Sequence, residues 1–255
     1  MKKLKALSIY QLRLQIRDYQ AMFFLIGFPV IMYVIFSNLL KGVTGYNGKV
    51  AAIDYLIPSY LPIIIINAGI MMFGLMLTIY KEKNYFIKYK LLGFKPLEIA
   101  ISVSITIIIC EIIGIISLVL FAYFVNKITI PINNIVNVLL TILIITAFQF
   151  SLGYFLSSIF RKSTVYQTVA LIVFYFEMFL GGLTFPPEMF GAAMRKVLEI
   201  INPIIHGLYM IRGTWIEGKS ILNYPLECVI LLGVTLLLCL IASIIDKGNY
   251  GKSAY

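Results

Sequence analysis

Two acidic residues, Glu111 and Glu177, stand inside long apolar stretches of the chain. If those stretches cross a bilayer, a carboxylate there is costly to bury. Each acid therefore marks either an ion pathway or a hydrogen bond that fixes helix packing. The sequence leaves both interpretations open. A proton relay is disfavoured, because no predicted span holds a Lys, Arg or His as a partner.

Other polar residues in the apolar stretches are uncharged. Thr146, Gln149, Gly153 and Ser157 recur at helical spacing, so they share one helix face, which favours a packing role. Asn67 is a single amide in another stretch.

Motifs for catalysis or metal binding are missing from the sequence. It has no G-x-x-x-x-G-K-[ST] loop, no H-E-x-x-H and no G-x-S-x-G. His206 is its single histidine, and its three cysteines lie in apolar stretches without ligand spacing. We therefore expect no enzyme activity, no metal and no cofactor in this chain.

The composition is that of a membrane protein. Of 255 residues, 61% are apolar and only 13% are charged, and the mean hydropathy is +0.96. A soluble domain of this length cannot hide so many apolar side chains, and 14% aromatic residues exclude disorder.

The apolar stretches predict an all-α integral membrane protein with six spans in one domain over 1–255. They are too long for strands and lack the alternation of a β-barrel. The first is too long for a signal peptide and lacks a cleavage site. The predicted spans are 22–40, 56–80, 97–125, 135–160, 165–185 and 224–245.

Basic residues orient the spans. Fourteen Lys and Arg fall on the side of both termini and seven on the other side. The positive-inside bias predicts cytoplasmic termini in the cell membrane, and it explains the net charge of +10 without nucleic-acid binding.

Three segments outside the spans have helical patterns. The spacing of apolar residues in the basic segment 1–20 predicts an interfacial helix that lies on anionic lipids. Its apolar face consists of Ile9, Leu12, Ile16 and Tyr19. Residues 81–96 are basic and aromatic, which favours a partner-docking helix over a nucleic-acid stacking patch.

The third segment is the loop between spans five and six. Here an apolar stripe predicts a short interfacial helix, with an Arg195–Glu199 pair beside it and an end at Asn202-Pro203. Trp215 is interpreted as an interfacial anchor. The stripe consists of Phe190, Met194, Val197, Leu198 and Ile201.

Three short motifs occur along the chain in the same order as in one known family. Phe28-Pro29 opens the first span, and Glu82-Lys83 is followed by basic residues, leucines and Pro96. Residues 185–212 contain FPPEMF and then NPIIHGLYMIRG. Over nearly the whole chain, this arrangement resembles the type-2 (export-type) ABC transporter permeases of the drug- or antibiotic-export kind. Asn84 and Tyr85 depart from the family's usual glycine and small hydroxyl residue, so the partner contact can differ.

The resemblance implies the working parts of an exporter. These are an N-terminal connecting helix, a cytoplasmic coupling helix between spans two and three, and short outer re-entrant or interfacial helices between spans five and six. A separate ATPase subunit would bind ATP and Mg, and a second permease chain, identical or not, would complete the pathway. The implied ATPase contacts are Lys81, Glu82, Lys83, Asn84, Tyr85, Lys88, Lys90, Arg13 and Arg17. The implied path and gate residues are Asn67, Gln149, Glu111, Glu177, Pro186, Pro187, Asn202 and Pro203.

Few polar groups face inward, so a hydrophobic or amphipathic cargo is expected: a drug, an antibiotic, a peptide or a lipid-like molecule. A glycan cargo stays open as an alternative. Two other functions stay open on the sequence. One is an ion- or proton-coupled carrier or channel that uses Glu111 and Glu177. The other is a membrane sensor or scaffold that binds a partner through residues 81–96 without transport.

Overall fold

The computed structural model describes residues 2–39, 44–45, 50–184 and 187–252. Within these residues, six helices are long and apolar enough to cross a membrane, and the chain is an all-α integral membrane protein. Spans 1 to 6 are Tyr19–Leu39, Tyr55–Glu82, Leu97–Asn126, Ile132–Ile159, Ser163–Leu180 and Pro225–Lys247. Residues 40, 185 and Pro186, which the sequence analysis includes in a span or gate, lie outside the described residues.

Shorter elements complete the chain. The N-terminal helix is Lys2–Arg17, the loop helix is Tyr85–Leu91, and linker helices 1 and 2 are Ala192–Ile201 and Ile204–Trp215. Two-residue strands at Thr44–Gly45 and Val50–Ala51 pair antiparallel. Single 3₁₀ turns are Ile132–Asn134, Pro187–Met189 and Ile221–Asn223.

The spans themselves contain several helical segments. Span 1 comprises Tyr19–Met22, Phe23–Gly27 and Phe28–Leu39, and span 2 comprises Ala52–Ile66, Asn67–Gly74 and Leu75–Glu82. The α-helices of spans 3 to 6 are Pro96–Asn126, Ile135–Ile159, Ser163–Leu180 and Pro225–Lys252.

Span 2 lies at the centre of the bundle. Its most apolar stretch is 78% buried inside the protein, whereas that of span 6 is only 11% buried. In water such an exposed apolar helix would be unstable, but in a bilayer its surface meets acyl chains of equal polarity. Spans 1, 3, 4 and 5 pack around span 2, whereas span 6 packs mainly on span 4 and linker helix 2. The spans face lipid with the rest of their surface.

Wide π-helical turns interrupt spans 1 and 2 at Phe23–Gly27 and Asn67–Gly74. Such turns leave carbonyl groups without regular partners, which is expensive in a membrane. Side chains supply the missing donors. The Asn67 amide donates to the Phe24 carbonyl at 3.1 Å, and the Tyr166 hydroxyl donates to the Ile70 carbonyl at 2.7 Å.

Glycines allow spans 2 and 4 to cross in close contact at these turns. A Cβ atom on Gly153 would lie 2.2 Å from the Gly69 carbonyl oxygen, and one on Gly69 would lie 2.7 Å from the Gln149 backbone. Small residues at such crossings let two helix backbones meet within a bilayer. This crossing places Gln149 and its neighbours at the centre of the bundle.

The N-terminal helix is shorter than the predicted 1–20. It ends at Arg17, and Asp18 caps the next helix by accepting a hydrogen bond from the Ala21 amide at 3.1 Å. Its apolar residues Ile9 and Ile16 are exposed, and so is Tyr19, which the structure places at the start of span 1. Leu7, Ser8 and Gln11 form the face that is buried; the helix packs on span 3.

The linker between spans 5 and 6 holds two helices of opposite character. Linker helix 1 is largely exposed along its apolar stripe, and Leu198 is its buried member. Linker helix 2 is buried along its whole length against spans 2, 4 and 6. Trp215, predicted as an interfacial anchor, is only 8% exposed and belongs to the core.

Candidate functional site

The loop helix begins at a residue in the left-handed conformation. Asn84 has φ 56° and occupies the N-cap position. Glycine adopts this conformation without strain, and asparagine is among the few other residues that do so readily. Asn84 thus holds a backbone conformation that glycine, which the resemblance implies at this position, would also adopt.

One surface of the loop segment has no cover within the described part of the chain. Ile87 is 58% exposed, and Leu91 and Leu92 are 83% and 68% exposed. We call these three residues and the exposed lysines around them the docking surface. Ile87 was missed by the sequence analysis, although its i, i+4 spacing to Leu91 was a usable signal. The lysines are Lys83, Lys88 and Lys90.

Aromatic residues fix the opposite side of the loop helix to the end of span 2. The Tyr80 ring lies 5.4 Å from Tyr85, 6.0 Å from Phe86 and 5.9 Å from Tyr89, measured between centroids. Burial in this cluster raises the pKa of the Tyr89 hydroxyl above its ordinary value. The loop helix is therefore rigidly attached to the bundle, and Lys88 lies 4.9 Å above the Tyr85 ring.

Two further predicted contact residues bind within the chain. Lys81 donates to both carboxylate oxygens of Asp246 at 2.9 and 3.0 Å. The Glu82 carboxylate accepts from the Ser163 amide at the start of span 5, at 3.0 Å. The resemblance implies an ATPase contact for Lys81, yet its ammonium group points into the bundle. Arg13 and Arg17 are exposed on the N-terminal helix.

A hydrogen-bonded cluster connects the N-terminal helix to this region. The Ser102 hydroxyl of span 3 donates to the Gln11 side chain at 2.6 Å, and Ser8 donates to Ser102 at 3.2 Å. The Gln11 amide donates to the Tyr80 hydroxyl at 3.3 Å. Sequence reasoning missed this cluster, although Ser8 and Gln11 are three residues apart and therefore share a helix face.

Both intramembrane acids bind to span 4. Thr146 donates to Glu111 of span 3 at 2.5 Å, and the Gln149 amide reaches both oxygens of Glu177 in span 5 at 3.2 and 3.1 Å. All four side chains are buried. The structure thus places Glu111 and Glu177 against two residues of span 4 that are three positions apart, whereas Asn67 bonds to span 1 instead. This arrangement supports the packing interpretation, while a role in a path stays a prediction.

The predicted gate residues lie at the opposite end of the bundle. The buried Asn202 amide lies 3.5 Å from the Phe176 carbonyl, and Pro203 begins linker helix 2. Pro187 packs against Gly182, whose φ of 79° requires glycine. These residues join span 5 to the linker, and Pro186 lies outside the described residues.

A buried arginine strengthens this end, although it was counted as a loop charge in the sequence. Arg212 donates to the Ser59 hydroxyl at 3.1 Å and to the Gly182 carbonyl at 3.2 Å. Its guanidinium lies 3.8 Å from the centre of the Tyr55 ring. Arg212 therefore links spans 2 and 5 to linker helix 2. The predicted Arg195–Glu199 pair is present on linker helix 1, at 3.8 Å.

The described chain combines six spans, a loop helix with an exposed face and a buried linker helix. The family model for the ABC-2 type transporter matches residues 2–216. The chain belongs to this family. The permease is thus a membrane transport subunit of a kind that is generally not catalytic and normally works with an ATP-binding subunit. A search of curated proteins finds no match to the permease.

Proposed function

We propose that this permease is the transmembrane subunit of an ATP-driven exporter, with its ATPase bound at the docking surface. The observation that carries the proposal is the exposed set of Ile87, Leu91 and Leu92 beside three lysines. An apolar centre with a charged rim is the usual anatomy of a protein interface. The loop helix acts as the coupling helix, and ATP with Mg is bound by the partner.

Energy would pass from the ATPase to the spans by rigid-body movement. Closure of the ATPase around nucleotide would displace the loop helix, and the Tyr80 cluster would carry span 2 with it. Span 2 is the central and most buried span, so its movement would change its packing with spans 1, 3, 4 and 5 directly. Two permease chains form the pathway between them, and both termini lie in the cytoplasm, with the complex in the cell membrane.

The cargo is hydrophobic or amphipathic. Several buried polar side chains of the bundle are hydrogen-bonded across helices, as with Glu111, Glu177 and Arg212. The surfaces left for a pathway are therefore mainly apolar. A drug, an antibiotic, a peptide or a lipid-like molecule fits such a path, which leads outward past the Pro187 and Asn202 region.

The test reverses charge on the docking surface. A Lys88→Glu/Lys90→Glu variant should reduce co-purification of the ATPase by about tenfold or more, because like charges placed across an interface repel. The control is Lys127→Glu/Lys196→Glu, which makes the same charge change at exposed residues away from the docking surface. Equal recovery of the ATPase with both variants would contradict the docking assignment.

The carrier interpretation has a separate test, because it depends on Glu111 and Glu177. Under the exporter proposal, a Glu111→Gln/Glu177→Gln variant retains ATPase binding and transport. Loss of a pH-dependent flux in proteoliposomes, with ATPase binding unchanged, would favour the ion-coupled carrier.

A further inference from the structure

Three consecutive residues at the end of span 2 connect to different parts of the bundle. Tyr80 accepts from Gln11 of the N-terminal helix, and Glu82 accepts from the Ser163 amide of span 5. Lys81, between them, reaches Ser157 of span 4 and Asp246 of span 6. The loop helix follows directly, so any displacement of it is applied to this triplet first.

The central contact of the triplet is the ion pair of Lys81 with Asp246. The Lys81 ammonium lies 2.9 Å from the nearer carboxylate oxygen, and the two side chains are only 15% and 16% exposed. The ammonium also donates to the Ser157 carbonyl at 3.1 Å. Because Ser157 is near the end of span 4, this carbonyl has no regular helical partner, and a cation there is favourable.

Span 6 has few other ways to follow the loop helix. It packs mainly on span 4 and linker helix 2, and most of its surface faces lipid. Within the described residues, the hydrogen-bonded ion pair of Lys81 with Asp246 joins span 2 to span 6. Separating the two charges in this partly buried place would leave both without compensation, so the two helix ends tend to move together.

We infer that the Lys81–Asp246 pair is a transmission contact, through which movement of the loop helix is passed to span 6. Both residues are positioning residues, since they act on the pathway through the helices they join. The inference rests on the proposed function, because it requires an ATPase at the docking surface. It adds span 6 to the helices that would move when the ATPase binds nucleotide.

A native cysteine provides the reporter. Cys228 is half-buried in span 6, 18 residues before Asp246, which places it about 27 Å away along the helix. In a Cys110→Ala/Cys239→Ala background it is the chain's remaining thiol. Its labelling rate with a maleimide is measured on the permease–ATPase complex, without nucleotide and with a non-hydrolysable ATP analogue.

Four variants are compared in that background: Lys81→Gln, Asp246→Asn, the double variant, and Lys247→Asn as a control. Lys247 is the exposed neighbour of Asp246, so its loss removes a charge without breaking the pair. The double variant leaves no unpaired charge, which keeps the test valid if a single variant folds poorly. Melting temperature and ATPase co-purification are recorded for each.

With an intact pair, the analogue should change the Cys228 labelling rate by about fivefold, as for two coupled sites. In Lys81→Gln, in Asp246→Asn and in the double variant, the analogue should leave the Cys228 labelling rate nearly unchanged. In Lys247→Asn the fivefold change should persist. Two results would overturn the inference, provided that the ATPase still binds. One is a fivefold change in Cys228 labelling in the double variant, and the other is no change with the Lys81–Asp246 pair intact. Failure of any ATPase to co-purify with the unmutated chain would instead refute the proposed function, and the inference with it.

Discussion

Replacement of Gly153 by alanine tests the close crossing of spans 2 and 4. The new Cβ would lie 2.2 Å from the Gly69 carbonyl oxygen, which belongs to the backbone and cannot rotate away. An ordinary carbon–oxygen contact is about 3.3 Å or longer, so the two helices must separate by about 1 Å.

The expected cost follows from this displacement. Overpacking of a fixed contact costs about 1–3 kcal/mol, and a backbone clash belongs at the upper end. Alanine returns about 1 kcal/mol through its higher helix propensity. The net loss is about 2 kcal/mol, which lowers the melting temperature of a chain of this length by about 4–8 °C.

The assay is thermal unfolding of the purified permease in detergent, followed by Trp215 fluorescence. Trp215 is the single tryptophan, and it is buried in linker helix 2, so its emission reports tertiary packing. Gly233→Ala is the matched control, because a Cβ on Gly233 meets no atom within 4 Å. Its melting temperature should equal or slightly exceed that of the unmodified chain. Equal melting temperatures for the Gly153 and Gly233 variants would refute the crossing geometry.

Two further substitutions test local contacts in the same assay. Asn84→Gly should leave the free energy of unfolding unchanged. Asn84→Val should lower it by about 1–2 kcal/mol, because φ 56° is strained for a branched side chain. Equal stability of the Gly and Val variants would contradict the left-handed start of the loop helix. Gln149→Leu should cost about 1–3 kcal/mol by leaving the Glu177 carboxyl buried without a donor. Gln149→Leu/Glu177→Leu should recover most of that loss, and a double variant less stable than the single would argue against this pairing.

The fold class could be read from the sequence because it depends on local composition. Long uncharged stretches specify membrane helices wherever they occur. The sequence therefore predicts six of them, and six are present among the residues that the structure describes. The order of the short motifs was also visible, and the match over residues 2–216 confirms the resemblance to ABC-2 permeases.

Details of the candidate site were less accessible, because they depend on which faces meet. Ser8 and Gln11 look like the solvated side of an amphipathic helix, yet they are buried against span 3. Trp215 and Arg212 look like interfacial residues, yet they lie in the core. In a bilayer, apolar faces need no protein partner, so polar faces can turn inward and hydrogen-bond.

The sequence by itself determined that the chain crosses a membrane six times and carries a basic, partly apolar segment between spans 2 and 3. Hydropathy and length suffice for this, since each span satisfies its backbone internally. Only the tertiary structure decided that Lys81 pairs with Asp246, 165 residues away, and that Glu111 and Glu177 both bind to span 4. Such pairings depend on which face each helix turns toward its neighbours and on contacts between residues far apart in the chain. The hydrophobic periodicity of a sequence does not specify either of these.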